Sequence, residues 1–369
     1  MLKLFEVTGF KSFKETVRIN FSDVRDYKFN SHCVTNNLIS KAIIYGKNAV
    51  GKSNFGLALF GIVSHLSSKN VSPNMYDYYL NAANLNDYAE FRYVFEFAEG
   101  TIDYSYWKDE KQSLVYEKLL LNGALLYEYN YSKNKGHTEG IKALAPTLNW
   151  AFQDMDCILK YVINNTVLDD QHPLRCMMRF VNNMLWFRSL DENRYIGFKT
   201  KSTDYYDFIF EEEILREFET FLHASGVEDN LVVKTNVDGK RVLYFDTDIP
   251  LPFFKIASSG TRALYTFFYW YKTAKDVSFM FIDEFDAFYH FELAESIVAI
   301  LEKMSNTQVV LTSHNTNLLT NKIMRPDCYF ILTKDKLTAL ANATTRELRE
   351  GHNLEKLYMS GEFYGQCEE

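Results

Sequence analysis

The stretch Gly46-Lys47-Asn48-Ala49-Val50-Gly51-Lys52-Ser53 constrains this chain more than any other. It follows the apolar run Ala42-Ile43-Ile44-Tyr45 and precedes residues 55–63, whose apolar positions keep helical spacing. A strand that breaks into a glycine-bounded loop and then a helix is the context of a phosphate-binding loop. Gly46 and Gly51 let the backbone turn so that successive N–H groups point into one concavity. A helix starting near Lys52 adds its positive end. Lys52 is expected to reach the β- and γ-phosphates of a nucleotide, and the Ser53 hydroxyl to ligate Mg²⁺. Gly46, Lys47, Asn48, Ala49, Val50, Gly51, Lys52, Ser53 and Asn54 together form the expected nucleotide-binding set. A chance glycine-rich turn is the alternative, but at average residue usage the pattern arises by accident in about one chain in a hundred of this length.

Composition narrows the setting. A chain of 369 residues has room for one large domain with an insertion, or for two domains. Hydrophobic content of 47% beside 24% charged residues points to a packed core rather than disorder. No apolar run approaches a membrane span, and the opening Met1-Leu2-Lys3-Leu4-Phe5-Glu6 is no signal peptide. Cys33, Cys157, Cys176, Cys328 and Cys367 show no CxxC spacing and read as reduced thiols of a cytoplasmic protein. The eight histidines form no metal-ligand spacing. A net charge of −8 argues against a broadly basic, nucleic-acid-coating surface, though a local basic groove stays open.

In chain order, residues 2–8 and 16–21 read as a strand pair around a turn at Gly9-Phe10-Lys11-Ser12-Phe13-Lys14, and 41–45 as the strand feeding the loop. Residues 88–131 read as an antiparallel meander, with Phe91, Tyr93, Phe95 and Phe97 at period two and hairpin turns at Glu99-Gly100 and Asn122-Gly123. Residues 133–140 are expected to be a polar loop, 148–163 and 174–187 helices, and 211–222 an amphipathic helix. Asp238-Gly239 closes a further hairpin, and no heptad repeat persists, so no long coiled coil is expected. From residue 254 onward helices alternate with buried strands: helix 261–272, strand 277–282, helix 293–301, strand 308–312 and strand 328–332. Such alternation implies an α/β fold with a mostly parallel sheet covered on both faces.

Two strand ends carry chemistry. Phe279-Met280-Phe281-Ile282-Asp283-Glu284 is an apolar strand ending in two acids; Asp283 can hold Mg²⁺ opposite Ser53, and Glu284 can polarise a water for attack on the γ-phosphate. Alone, such a strand end is equally well a solvated terminus. Val309-Val310-Leu311-Thr312-Ser313-His314 ends in a histidine able to contact the γ-phosphate or hold the attacking water; without the other motifs a packed or surface histidine would be the better reading. Ser258-Ser259-Gly260-Thr261 precedes a helix and offers a second phosphate-binding device, or a plain helix cap. One triphosphate has little use for two such devices, whereas a head-to-tail pair of chains uses both.

The order of residues 46–53, Ser258-Ser259-Gly260-Thr261, Asp283-Glu284 and Thr312-Ser313-His314-Asn315 resembles the Walker A, signature, Walker B and switch-histidine order of ABC-type ATPase heads. Phe10-Lys11-Ser12-Phe13 looks like the N-terminal strand motif of the SMC, RecF and OLD branch. Asp283-Glu284-Phe285-Asp286-Ala287-Phe288-Tyr289-His290, Ser313-His314-Asn315-Thr316-Asn317-Leu318-Leu319 and the tail Asn353-Leu354-Glu355-Lys356-Leu357-Tyr358-Met359-Ser360-Gly361 are similar to stand-alone bacterial RloA-like ATPases, to which anti-phage defence ATPases of the PARIS and Septu types are related. The resemblance implies a P-loop NTPase of ABC/SMC-head type: core segments 1–74 and 251–369, interrupted by a β-meander and helical insert, 75–250. It further implies ATP and Mg²⁺ as cofactors, Lys52, Glu284 and His314 as catalytic residues, Ser53 and Asp283 as metal ligands, and a homodimer or higher oligomer closing on shared nucleotides. Ser258, Ser259, Gly260 and Thr261 would then contact the partner chain's γ-phosphate, and Asp286 would lie in the segment crossing the interface. One departure stands out: residues 75–100 contain no glutamine to serve as a Q-loop.

Three function classes compete. The first is an ATPase switch of an anti-phage or toxin–antitoxin-like module acting on a separate effector, a nuclease. The second is a RecF-like repair ATPase clamping duplex DNA, for which Lys3, Lys11, Lys14 and Arg18 are the candidate contacts, although charged strand edges more often serve solubility. The third, a transporter ATPase, fits poorly with the Phe10-to-Phe13 element and the large insert.

Overall fold

The structure is a computed structural model describing residues 1–67, 76–150, 157–188, 194–197, 205–273, 275–287 and 291–363. Its first sheet has seven antiparallel strands. β1 (Leu2–Thr8) lies between β2 (Val17–Asn20) and β6 (Ala89–Phe97), followed outward by β7 (Gly100–Lys108), β8 (Leu114–Leu121), β9 (Ala124–Asn130) and the short β10 (Lys135–His137). The period-two aromatics decide which face is inner. Phe91, Tyr93 and Phe95 are buried beside Tyr104 and Tyr106 of the next strand, and the Phe91 and Tyr106 rings stack at 5.0 Å.

The second sheet lies at the centre, in the order β12 (Arg194–Gly197), β11 (Met184–Arg188), β16 (Phe279–Asp283), β17 (Gln308–Ser313), β5 (Lys41–Tyr45), β18 (Tyr329–Leu332) and β19 (Leu337–Ala339). The five inner strands run parallel and the two edges antiparallel. Every residue of β5, β16, β17 and β18 is buried, as a sheet covered on both faces demands. Two small units complete the strands: β3 (Val34–Thr35) with β4 (Leu38–Ile39), and β13 (Leu231–Thr235), β14 (Arg241–Phe245) and β15 (Leu251–Pro252).

Helices α1 (Lys52–Leu59), α2 (Gly61–Ser67) and α5 (Pro173–Asn182) fill the space between the two sheets. Tyr93 donates from its hydroxyl to the Ala58 and Leu59 carbonyls, tying the first sheet to α1. On the other side α1 rides close on the central sheet: a Cβ at Gly56 would sit 2.7 Å from the Phe281 ring. Phe180 of α5 touches Phe95 on one sheet and Phe279 on the other. The far face of the central sheet, through Leu185, Phe187, Met280 and Ile282, meets Phe267 and Trp270 of α8 (Ser259–Thr273) and Leu301 of α9 (Phe291–Glu302). The remaining α-helices among the described residues are α3 (Glu139–Leu144), α4 (Ile158–Asn165), α6 (Glu212–Ala224), α7 (Phe253–Ile256) and α10 (Leu354–Met359). No described helix is long and apolar enough to cross a membrane, and none is a long coiled-coil arm.

Three local expectations need correction. The polar stretch 133–140 contains β10 and the start of α3 rather than a plain loop. The helix expected over 174–187 stops at Asn182, and residues 184–188 form a parallel strand beside β16. Met-Leu-Trp-Phe is apolar on both faces, so it has no alternation to separate it from a buried helix. The helix expected over 148–163 starts only at Ile158; residues 151–156 lie outside the described residues, as do 288–290 of the acidic motif and Cys367. Within the proposed insert, 75–250, the meander continues the sheet begun by β1, and β11 joins the central sheet.

Candidate nucleotide site

The parallel order places three strand ends side by side. β17 lies between β16 and β5, with Ser313 opposite Tyr45 and Leu311 opposite Ile282. The residues just beyond these ends are therefore the loop 46–51, Asp283-Glu284, and Ser313-His314. Ligand sites of open α/β sheets form at such carboxyl ends.

The loop is shaped by its supports. Gly51 adopts φ +107°, and a Cβ there would meet the Ser12 hydroxyl at 2.4 Å and the Phe13 ring at 3.1 Å. Only glycine fits both the dihedral and the gap. Ser12 also accepts from Asn54 Nδ2 at 3.1 Å, so the turn after β1 sits directly under the loop. Ala49 has φ +64°, and Lys47, Asn48 and Ala49 are exposed. α1 begins with no side-chain cap and no acid in its first turn. Its amide ends and positive dipole thus face the loop unopposed.

Lys52 is the electrostatic centre. Only 5% exposed, it donates to the Gly46 carbonyl at 3.1 Å and lies 2.6 Å from His314 Nε2. Burial lowers its pKa, while Glu284, Asp283 and Asp286 pull it back up. An ammonium has no lone pair to offer, so His314 Nε2 is the acceptor and the ring is neutral, with its proton on Nδ1. Glu284 Oε1 lies 3.5 Å from the same nitrogen.

The acids are held by the neighbouring strand. Thr312 donates from Oγ1 to Asp283 Oδ1 at 2.7 Å, and the Glu284 amide donates to that same Oγ1 at 2.7 Å. Glu284 adopts φ +49°, a left-handed conformation uncommon for a non-glycine residue, at a cost of order 1–3 kcal/mol. Ser313 donates to Asp286 Oδ2 at 2.6 Å and accepts from the Asn315 amide at 2.9 Å. Burial raises the Asp286 pKa, and the Ser313 bond and nearby His314 lower it. Thr312, Ser313 and Ser12 stand in the quoted motifs, but nothing in their spacing assigned them these roles.

The geometry thus gathers Lys52, Asp283, Glu284 and His314, with Asp286 anchored behind them. Ser53 is the second residue of α1 and half-buried. Ser258 to Thr261 stand apart at the start of α8: Ser258 Oγ accepts from the Thr261 amide at 3.1 Å, capping the helix, while Ser258 and Ser259 are exposed. The donor set fits a Mg²⁺–nucleotide. Lys52 is a buried cation whose two hydrogen-bond partners are neutral, the Ser53 hydroxyl and Asp283 offer hard oxygen, and the start of α1 is open to an anion.

The profile of the family described as "AAA domain, putative AbiEii toxin, Type IV TA system" matches residues 41–320. No curated protein matches the sequence at a significant level. Solved structures similar to it include an SMC head bound to the C-winged helix domain of ScpA, at 14% identity over 92% of this chain and 97% of that one, TM-score 0.47. The SMC head domain from Thermotoga maritima is 15% identical over 92% and 98%, TM-score 0.43. The Pyrococcus yayanosii Smc head domain with a coiled coil and joint is 10% identical over 92% and 96%, TM-score 0.48.

Proposed function

The chain belongs to the AAA-domain family described by the AbiEii toxin and type IV toxin–antitoxin systems, and on that premise we propose that it is an ATP-hydrolysing dimeric switch that controls a separate effector, a nuclease, in a bacterial defence or toxin–antitoxin-like module. The observation that carries the ATPase part is the convergence of Lys52, Asp283, Glu284 and His314 at adjoining carboxyl ends of β5, β16 and β17, beside the open start of α1.

Lys52 and the amides of residues 46–53 bind the phosphates of ATP. Ser53 and Asp283 would hold Mg²⁺, which would neutralise phosphate charge. In the free chain His314 Nε2 accepts from Lys52; a γ-phosphate competes for that ammonium and releases the imidazole toward the phosphate. Glu284, on its left-handed backbone beside His314, accepts the proton of the attacking water. Thr312 holds both acids in place. Ser258 and Ser259, exposed at the α8 start, and the half-buried Gly260 complete the site of a partner chain, so ATP is what two copies share. Asp286 orders the segment at that interface through Ser313.

The effector reading is supported by the family description and by the charge balance of the candidate DNA contacts. Lys3 pairs with Glu96 at 2.6 Å, Lys14 with Glu15, and Arg18 with Glu6. Lys11 donates to the Asp77 carbonyl. Paired this way, these residues offer little to a phosphate backbone, which weighs against the duplex clamp. The test is ATP turnover by the purified chain with and without duplex DNA, together with co-purification of the product of an adjacent gene. Turnover indifferent to DNA and a stoichiometric nuclease partner support the switch; turnover that duplex stimulates with a steep salt dependence returns the clamp.

A further inference from the structure

At the opposite, amino end of the central sheet lies a second cluster that the nucleotide chemistry does not use. His32 and Cys33 belong to a short 3₁₀ turn, Ser31–Cys33, that is pinned by Asn30 Nδ2 donating to the Asn321 carbonyl and by the Ser40 backbone amide donating to the Cys33 carbonyl. Glu302 is the last residue of α9. His32 Nε2 is 3.3 Å from Glu302 Oε2, and the imidazole nitrogen, the Cys33 sulfur and a Glu302 oxygen all lie within 4.8 Å of one another.

Glu302 is costly where it stands. A carboxylate at a helix C-terminus meets the negative end of the dipole. Burial raises its pKa, which His32 and Lys41 offset. Its Oε1 is buried and has no hydrogen-bond partner. Lys41 is near, its pKa lowered to about 8 by burial, but it donates to the Met304 and Thr307 carbonyls. A buried, unmatched carboxylate oxygen beside an imidazole and a thiol calls for a cation.

A second His-Glu-Cys group among the described residues, the fully buried His65, Glu117 and Cys157, behaves differently. There Glu117 accepts from Tyr104, Tyr127, Tyr131, Cys157 and the Ile158 amide, so both of its oxygens are already occupied. That group is a satisfied hydrogen-bond hub.

We propose that His32 Nε2, Cys33 Sγ and the Glu302 carboxylate form a binding site for a zinc-like divalent cation, with water from the His32 side as the fourth ligand. Nitrogen, thiolate and carboxylate are the donor types that Zn²⁺ takes in four-coordinate sites, and this set suits it better than the all-oxygen preference of Mg²⁺. Ligands at tetrahedral zinc stand roughly 3–4 Å apart, so His32, whose side chain is 44% exposed, needs only a small inward shift. On binding, the Cys33 thiol gives its proton to solvent as the metal–sulfur bond forms. The charges of thiolate and carboxylate then cancel that of the ion, which leaves Lys41 beside a neutral complex. The ion would fasten the 3₁₀ turn before β3 to the end of α9.

The test uses the full chain, stripped with chelator under reducing conditions and titrated with Zn²⁺, and with Co²⁺ as a spectroscopic substitute. The expected result is one ion per chain and a near-ultraviolet sulfur-to-cobalt band. Cys33→Ser should abolish the band. His32→Ala, at an exposed position that leaves the core intact, should weaken zinc binding by at least about 100-fold, the upper range reached by losing even an outer-shell partner. Lys52→Ala should leave the titration unchanged, because the two ends of β5 are roughly 15 Å apart. A wild-type chain with no cobalt–sulfur band, or zinc affinity unaltered in both His32→Ala and Cys33→Ser, overturns the proposal.

Discussion

At the residue scale, the site is a set of couplings rather than a set of isolated groups. Lys52→Ala removes the buried cation that stands beside His314 at the strand ends, and nucleotide binding should fall below detection in a fluorescent-nucleotide titration. Glu284→Gln keeps shape and loses the base: binding should persist while turnover falls by about 10²–10⁴-fold, measured by phosphate release. An unchanged rate would remove Glu284 as the proton acceptor. Thr312→Val is the subtler test. It strands the Glu284 amide and frees Asp283 Oδ1, both now satisfied by one hydroxyl. Turnover should fall by about 10–100-fold and demand more Mg²⁺ for half-maximal rate, with the fold unchanged by circular dichroism.

At the scale of elements, the meander is held to the helices by polar groups buried in an aromatic layer. Glu117 is fully buried, and five donors converge on it from β7, β9, the turn after β9 and the start of α4. Glu117→Ala leaves those donors without an acceptor and should cost at least about 3 kcal/mol, read as a lower urea midpoint. His65 reports on the same layer through pH. Tyr104 spends its proton on Glu117, so His65 Nε2 donates to the Tyr104 oxygen at 2.8 Å, and full burial lowers the His65 pKa well below its ordinary 6.5. The folded chain keeps this imidazole neutral while the unfolded chain protonates it below about pH 6.5. The unfolded state then binds more protons, so stability is complete above that pH and falls as pH drops, by up to about 1.4 kcal/mol per unit. Urea midpoints between pH 7 and 5 should show this slope, and His65→Phe should flatten it.

At the scale of the whole molecule, the proposed switch makes the exposed start of α8 on one chain the complement of the open phosphate loop on another. The Glu284→Gln chain with ATP should therefore run as a dimer by light scattering, and Ser259→Arg in that background should return it to monomer. Dimers that survive Ser259→Arg would sink the shared-site arrangement.

The sequence by itself determined the phosphate loop and the acids and histidine at strand ends, because each is a local pattern: glycines at fixed offsets, or an apolar run stopping at a charge. It also determined the antiparallel meander, where one-sided burial leaves period-two aromatics such as Phe91, Tyr93 and Phe95. Only the tertiary structure decided that residues 184–188 are a strand, since a segment covered on both faces carries no periodicity. Strand order likewise came from the assembled sheet: placing β17 between β16 and β5 is what sets Thr312 against Asp283 and His314 against Lys52. The support of Gly51 by Ser12 and the meeting of His32, Cys33 and Glu302 share that origin. They join residues far apart in the chain, whose proximity is set by packing rather than by any spacing that a linear pattern records.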